Sequence, residues 1–140
     1  MSAFDYPVMP EEEVQSPAIS MVPHSAGAEE STLGSVLINP NAYAEISQFL
    51  AADDFYIQRN KWVWEAFAEL HLRRTPLDLM TVANALDNAG KLAEIGGSAY
   101  LTSLIHQSPS SFHGASYAAI VKEHSDRRHG IAFANRLAQL

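Results

Sequence analysis

Residues 60–73 read NKWVWEAFAELHLR and predict a helix at about 61–73, with Asn60 as its N-cap. One face of this helix is marked by Val63, Phe67 and Leu70, which recur at i, i+4 and i+7. The apolar side chains that flank this face are Trp62, Trp64 and Ala66. Because apolar residues cover more than one face, we expect this helix to be central or partly engaged elsewhere.

Helical signals continue on both sides of this stretch. Upstream, the spacing of Leu33 and Val36 predicts a helix at about 28–38. Downstream, Asp78 can cap a helix that ends just before Gly90. No alternating apolar pattern of strand length stands out, and no repeat of roughly 20–50 residues is visible. The sequence therefore predicts an all-α protein with about six helices and short loops.

The C-terminal part carries two apolar stripes with a polar stretch between them. The first stripe ends near Val121, and a run without large apolar side chains follows it. The second stripe consists of Phe133, Leu137 and Leu140, again at i, i+4 and i+7. This pattern predicts two helices in series, with a bend or break between about 122 and 130.

Charge is unevenly distributed along the 140 residues, whose formal net charge is −7. Residues 1–30 contain six acidic and no basic residues, whereas residues 31–140 contain ten acidic and nine basic residues. Tight nucleic-acid binding needs a basic excess that neutralises phosphates. We therefore expect weak or no nucleic-acid binding by this chain alone.

The first 27 residues differ in composition from the rest, because they hold four of the seven prolines and the acidic run Glu11–Glu13. Proline lacks a backbone donor and disfavours helix at the residue before it. We therefore predict a disordered, acidic, proline-rich tail at 1–27 and a helical head at 28–121. Composition leaves open whether the tail has no function or is a docking segment.

Motifs for catalysis and cofactor binding are missing from the sequence. It contains no G-x-x-x-x-G-K-[ST] phosphate loop and no G-x-S-x-G nucleophile elbow. Asp53 and Asp54 are candidates for an acid/base pair, but adjacent side chains in a turn point apart, which favours solvated carboxylates. We predict no catalytic residue, no cofactor-binding residue and no enzymatic activity for this chain.

Histidines are the candidate zinc ligands, since the chain contains no cysteine. The four considered are His106, His113, His124 and His129. They lack H-E-x-x-H spacing, and solvated or half-buried histidines are the ordinary alternative. We predict no metal ligand.

Two sets of residues are candidates for contact with a partner. Trp62 and Trp64 lie two apart on the predicted helix, so they face different directions and one can remain exposed. Membership of the core is the alternative for both. The second set is a candidate association surface made of Phe133, Leu137, Leu140, Arg127 and Arg128. Its arginines suit phosphate, but the nearby Glu123 and Asp126 favour surface ion pairs.

Signals for export or membrane insertion are missing as well. No apolar run approaches the ~18–20 residues that span a bilayer, and the N-terminus lacks the basic and apolar regions of a signal peptide. The lack of cysteine is compatible with a reducing compartment. We expect a cytoplasmic protein without membrane contact.

From Ala28 to about Leu140 the sequence resembles the N-terminal domain of DnaB-type replicative DNA helicases. The segment from Glu29 to Ala42 is similar to the family pattern E-x-x-x-L-G-x-[LIV]-L-x-x-P-x-A, and Asp54-Phe55-Tyr56 resembles its D-F-Y turn. Further matches follow in order: Trp64-Glu65-Ala66, Asp78 with Thr81 and Leu86, Gly90-Lys91-Leu92, Gly96-Gly97 with Tyr100-Leu101, Tyr117-Ala118, Ile120-Val121, Glu123 and Arg127-Arg128. No single motif is specific, whereas the ordered set with matching gaps is.

Local departures from the family pattern concern the surface. Asn60 stands where a histidine is usual, Trp62 and Trp64 are larger than the common residues, and His113-Gly114 replaces an asparagine and an aliphatic residue. These departures affect the expected partner specificity rather than the fold.

The resemblance implies an orthogonal bundle of about six helices, followed at 122–140 by a linker and the first helix of a helical hairpin. In that family the heads and hairpins form a collar, a trimer of dimers, on a hexameric ring. The collar binds the C-terminal domain of primase and helps guide single-stranded DNA. ATP and Mg²⁺ belong to a separate motor domain, which we expect to be absent from this chain.

The function implied is therefore subunit association and primase recruitment in DNA replication, with the ATP-dependent unwinding performed by a longer parent protein. A stand-alone helical adaptor that binds a helicase or primase is the alternative. A reading frame that continues past Leu140 into a phosphate loop would favour the first interpretation.

Overall fold

A computed structural model describes residues 22–108 and 113–140. All regular structure in these two ranges is helical, which confirms the predicted class. The helices are α1 (Ala26–Ile38), α2 (Ala42–Ile46), α3 (Gln58–Leu72), α4 (Leu79–Asn88), α5 (Leu92–Ile95), α6 (Gly97–Gln107) and α7 (Gly114–Ala138), with a 3-10 turn at Ala52–Asp54 between α2 and α3. The described residues thus form seven helices, close to the predicted number of about six.

Helix boundaries follow local capping chemistry. At the start of α4, the Asp78 carboxylate accepts a hydrogen bond from the Thr81 amide at 2.8 Å, and the Thr81 hydroxyl accepts one from the Asp78 amide at 3.0 Å. Gly90 follows the end of α4 with a φ of 73°, a conformation that suits glycine. Both boundaries were predicted.

The start of α3 was predicted wrongly. The helix begins at Gln58, and its N-cap is Ile57 rather than Asn60. Asn60 is instead buried inside the first turn, because its side chain is engaged by other helices. Similarly, α1 begins at Ala26 with Ser25 as its N-cap, two residues before the predicted boundary.

The core is organised around α1, which packs most extensively against α6 and α7. Two glycines permit this close approach. A Cβ atom at Gly114 would lie 2.9 Å from Cβ of Ser35, and one at Gly34 would lie 2.9 Å from Cβ of Ser108. Real Cβ atoms do not approach that closely, so larger residues at either position would force the helices apart.

An aromatic cluster joins α2, α3 and the 3-10 turn. The ring of Trp64 lies 5.0 Å from that of Tyr43, 5.4 Å from that of Phe55 and 5.7 Å from that of Phe67. All four side chains are buried. Pairs of this kind add stabilisation beyond the apolar area that they bury, so α3 is central, as predicted.

The bend or break predicted between 122 and 130 is wrong. Residues 114–138 form one continuous helix of 25 residues. The polar stretch is compatible with helix because its charges pair one turn apart: Arg127 with Glu123 at 2.8 Å, and Lys122 with Asp126 at 3.8 Å. Such pairs stabilise a helix modestly without burial.

The predicted tail lies mostly outside the described residues. Residues 1–21 are not described, so their predicted disorder stays a prediction. In the described ranges, no helix has both the length and the apolar character that a membrane crossing requires.

Candidate interaction surface

The C-terminal end of the chain is exposed, although Ile131, Ala132 and Asn135 line a groove together with Val22 and Pro23. Every residue from His129 to Leu140, a segment called the arm below, is exposed. Phe133 is 55% exposed and Leu137 is 53% exposed, while Leu140 is almost fully exposed. Among the residues that the structure describes, the predicted stripe is therefore an exposed apolar surface.

The arm is attached to the head through Arg128, whose guanidinium reaches two separate segments. Its Nη1 donates to the Pro23 carbonyl oxygen at 2.7 Å, and its Nη2 donates to the Asp54 carbonyl oxygen at 2.6 Å. The guanidinium also lies 5.3 Å from the centre of the Tyr56 ring. Arg128 thus makes its hydrogen bonds within the chain, and its assignment to the association surface stays a prediction. Arg127 is exposed and paired with Glu123, as the ion-pair alternative predicted.

A second polar contact joins α7 to the 3-10 turn through the buried side chain of Asp54. Its carboxylate accepts hydrogen bonds from the Ala51 amide at 2.8 Å, from Ser125 Oγ at 2.7 Å and from Lys122 Nζ at 3.4 Å. Ser125 is itself buried. The expected solvated turn carboxylate is therefore wrong for Asp54, although Asp53 is exposed.

These contacts change the acidity of Asp54. Burial by itself raises the pKa of the carboxyl group, but the hydrogen bonds from Ala51 and Ser125 and the positive charge of Lys122 together lower it below its usual value. The carboxylate is consequently charged near neutral pH, and its role is to hold the turn and α7 together rather than to exchange protons.

The two tryptophans differ in accessibility. Trp64 is only 2% exposed and belongs to the aromatic cluster, so its assignment as a partner-facing residue is wrong. Trp62 is half-buried, and Lys91 Nζ lies 4.5 Å from the centre of its ring. It borders a groove of about 300 Å³ between α3 and α4. The other residues that line this groove are Glu65, Ala66, Glu69, Ala85, Leu86, Ala89 and Lys91.

A buried cluster around Glu29 was not foreseen. The Glu29 carboxylate accepts hydrogen bonds from the amides of Tyr56 and Ile57 and from Asn60 Nδ2, at 2.7, 3.2 and 2.9 Å. The Tyr100 hydroxyl donates to Asn60 Oδ1. Burial raises the pKa of Tyr100 to about 12, so this hydroxyl stays protonated.

The Glu29 cluster closes the N-terminal end of α3, where free backbone amides and the helix dipole favour a negative charge. The sequence contains a pattern from which the burial of Glu29 could have been predicted. Glu29 shares one helical face with Leu33 and Val36, at i, i+4 and i+7, and a carboxylate within an apolar stripe indicates a buried, hydrogen-bonded group. Asp54 offered no such periodic signal, because it lies in a turn.

The described residues with metal-binding side chains do not form a cluster. In residues 22–108 and 113–140, no group of three or more His, Asp or Glu side chains is arranged to hold a metal ion. The two polar clusters each connect backbone segments and helices, and their carboxylates are occupied by hydrogen bonds within the fold.

A helical head from which α7 continues into an exposed C-terminal end defines the class: an all-helical domain. The chain belongs to the DnaB-like helicase N terminal domain family, whose model matches residues 21–123. This confirms the family to which the sequence was compared.

The curated relatives are longer proteins, of which this chain matches a part. The chain is 33% identical over 121 residues to the replicative DNA helicase DnaB of Haemophilus influenzae, covering 86% of the chain and 26% of that protein. It is 37% identical over 117 residues to DnaB of Pasteurella multocida, covering 84% and 25%. The chain thus spans about a quarter of the length of these relatives.

Solved structures agree in fold. The N-terminal domain of DnaB helicase from Mycobacterium tuberculosis matches with a TM-score of 0.82 and 35% identity, over 85% of this chain and 86% of that one. The N-terminal domain of DnaB helicase from Helicobacter pylori matches with a TM-score of 0.66 and 19% identity, over 81% and 88%. The second likeness concerns the fold alone.

Proposed function

We propose that this chain acts as the N-terminal domain of a replicative DNA helicase, and that it serves there in subunit association and primase binding. Family membership and the helicase relatives support the first part. The observation that carries the association role is the exposed stripe of Phe133, Leu137 and Leu140 on the arm.

Leaving this apolar stripe in contact with water is unfavourable in free energy, and association would bury it. Burying a large apolar side chain contributes about 1.5–3 kcal/mol relative to leaving it in water. Phe133 and Leu137 lie one turn apart on α7 and Leu140 follows the end of the helix, and together they form an apolar surface that a second helix can cover. A second copy of the arm supplies the same apolar spacing, so two arms can cover each other.

Sedimentation equilibrium tests the association role. We expect a concentration-dependent dimer, which Leu137→Asp weakens because it places a charge inside the stripe. Gln139→Asp is the matched control: it adds the same charge to the same end of the helix, but about 200° around the helix axis from Leu137. A parent that stays monomeric at high micromolar concentration, or equal weakening by both variants, contradicts the proposal.

Primase binding is the second role that we propose. It is supported by the Helicobacter pylori domain, which was described together with its interactions with primase. On this chain, the groove beside Trp62 is a suitable contact area because it combines an apolar floor of Ala66, Ala85 and Leu86 with a half-buried aromatic ring. Aromatic residues of this kind dominate binding energy at interfaces.

Calorimetric titration with the C-terminal domain of the cognate primase tests this contact. We expect Trp62→Ala to weaken binding at least tenfold, since a central aromatic anchor commonly contributes 2 kcal/mol or more. Leu72→Ala removes an exposed apolar side chain from the same helix outside the groove and should leave binding unchanged. Equal affinity of parent and Trp62→Ala would exclude this groove as the primase contact.

A further inference from the structure

One face of α3 brings an aromatic ring and two carboxylates to the same groove. Trp62, Glu65 and Glu69 recur at i, i+3 and i+7, a spacing that places side chains on one side of a helix. All three line the groove of about 300 Å³ between α3 and α4, together with Lys91. Charged groups of both signs therefore surround the apolar floor of this groove.

The charges at the groove do not cancel. Glu69 pairs with Arg73 at 3.6 Å, and Lys91 pairs with Glu94 at 3.6 Å. Among the ion pairs within residues 22–108 and 113–140, none includes Glu65, which is exposed. The carboxylate of Glu65 is therefore the negative charge that a molecule in the groove can compensate.

The ring of Trp62 already receives a cation from the same chain. Lys91 Nζ lies 4.5 Å from the ring centre, a distance at which an ammonium group is attracted to the electron-rich face of an indole. The side chain of Lys91 is 37% exposed and that of its partner Glu94 is 54% exposed, and exposed ion pairs of this kind contribute little to stability. A cation from another molecule can therefore replace Lys91 on the ring at small cost.

We propose that the groove binds a basic, amphipathic segment of its partner. A cationic side chain of that segment replaces Lys91 on the ring of Trp62 and pairs with Glu65, while a neighbouring apolar side chain enters the floor. Arginine suits both contacts, because its planar guanidinium stacks on aromatic rings and forms paired hydrogen bonds with a carboxylate. This inference rests on the proposed primase contact and specifies the chemistry of the primase segment.

Calorimetric titration with the C-terminal domain of the cognate primase, at low and at high salt, tests the inference. Glu65→Gln should weaken binding about two- to fivefold at low salt, as expected for loss of a partly exposed ion pair. The difference should shrink at high salt because ions screen the pair. Lys91→Gln removes the competing cation and should strengthen binding by a similar factor. Glu45→Gln, at an exposed position on α2 outside the groove, should leave the affinity unchanged.

The pattern of affinities separates this inference from the primase contact on which it rests. If Trp62→Ala weakens binding but Glu65→Gln does not, primase occupies the groove through apolar contact, and only the basic segment is overturned. Weaker binding by Lys91→Gln also overturns it, since Lys91 would then contact primase itself. Equal weakening by Glu65→Gln and Glu45→Gln overturns it in favour of an effect of net charge. Unchanged affinity in Trp62→Ala contradicts the primase contact and the inference together.

Discussion

The carboxylate of Asp54 is the polar centre at which the head meets α7. It is buried, and its two oxygens accept hydrogen bonds from the turn, from Ser125 and from Lys122. Asp53, its neighbour in sequence, remains exposed. Two adjacent, chemically identical residues therefore differ in role because only one of them faces a helix from a distant part of the chain.

The lowered pKa of Asp54 makes stability depend on pH in a defined direction. A carboxyl group whose pKa is lower in the folded state stabilises the fold above its ordinary pKa of 3.8, and this contribution disappears as the pH falls through the folded value. Asp54→Asn lacks the contribution. Its free energy of unfolding should be about 1–3 kcal/mol below that of the parent at pH 7.

Urea unfolding at several pH values between about 7 and 2 measures this effect. The difference between parent and Asp54→Asn should shrink as the pH falls towards the folded pKa. Asp53→Asn, at the exposed neighbouring position, should follow the parent across the range. A difference between parent and Asp54→Asn that is the same at acidic and neutral pH would mean that the charge of Asp54 does not stabilise the fold.

Helix α3 has an apolar face that is buried against neighbouring helices and an exposed C-terminal end. Its apolar stripe packs on α4 and α1, and Trp64 and Phe67 bring it into the aromatic cluster. The other end of the same helix leaves Leu72 exposed. The stripe indicated which residues face inward, and burial of Val63, Phe67 and Leu70 confirms that part of the prediction.

Phe67→Ala should lower the free energy of unfolding by about 3–5 kcal/mol, since the side chain is fully buried and truncation leaves a cavity. Leu72→Ala provides the comparison, because Leu72 occupies the same helix but is 83% exposed, and it should cost less than about 0.5 kcal/mol. Denaturant unfolding monitored by circular dichroism compares the two. If Phe67→Ala unfolds like the parent, the assignment of the inner face of α3 is incorrect.

At the scale of the whole molecule, the N-terminal segment before α1 is part of the fold from about Val22 onward. Arg128 binds the Pro23 carbonyl, the ring of His24 lies 4.4 Å from that of Tyr56, and Ser25 caps α1. The segment is therefore fastened to both the head and α7. The predicted end of the tail at residue 27 is therefore wrong, because Pro23, His24 and Ser25 contact the fold.

Two truncations distinguish the contribution of residues 22–24 to stability from that of residues 1–21. Deletion of residues 1–21 should leave the melting temperature within a few degrees of the parent. Deletion of residues 1–24 removes the acceptor for Arg128 and the contact with Tyr56, and it should cost about 1–3 kcal/mol, a drop of several degrees for a domain of this size. Differential scanning calorimetry compares them. Equal melting temperatures for the two truncations would show that the contacts of residues 22–24 contribute nothing to stability.

The chain as a whole is expected not to bind ATP, because the sequence has no phosphate loop and its folded part is nearly neutral. Calorimetric titration with Mg-ATP should give no saturable heat in the micromolar range. Saturable binding that competes with ADP would contradict this prediction. It would indicate a nucleotide site without a recognisable sequence motif.

The sequence by itself determined the all-helical class, the inner faces of α1, α3 and α4, the capping of α4 and the family, since each depends on periodicity or on residues that are close along the chain. Helix α7 shows the limit of such signals: its local pattern indicated a break, but paired charges and the contact with Asp54 permit one continuous helix. Only the tertiary structure decided the burial of Asp54, the position of Asn60 inside α3, and which of Trp62 and Trp64 remains accessible. The physical reason is that a side chain's environment is set by other segments of the chain, which for Asn60 and Asp54 are distant: Glu29 lies 31 residues from Asn60, and Ser125 lies 71 residues from Asp54.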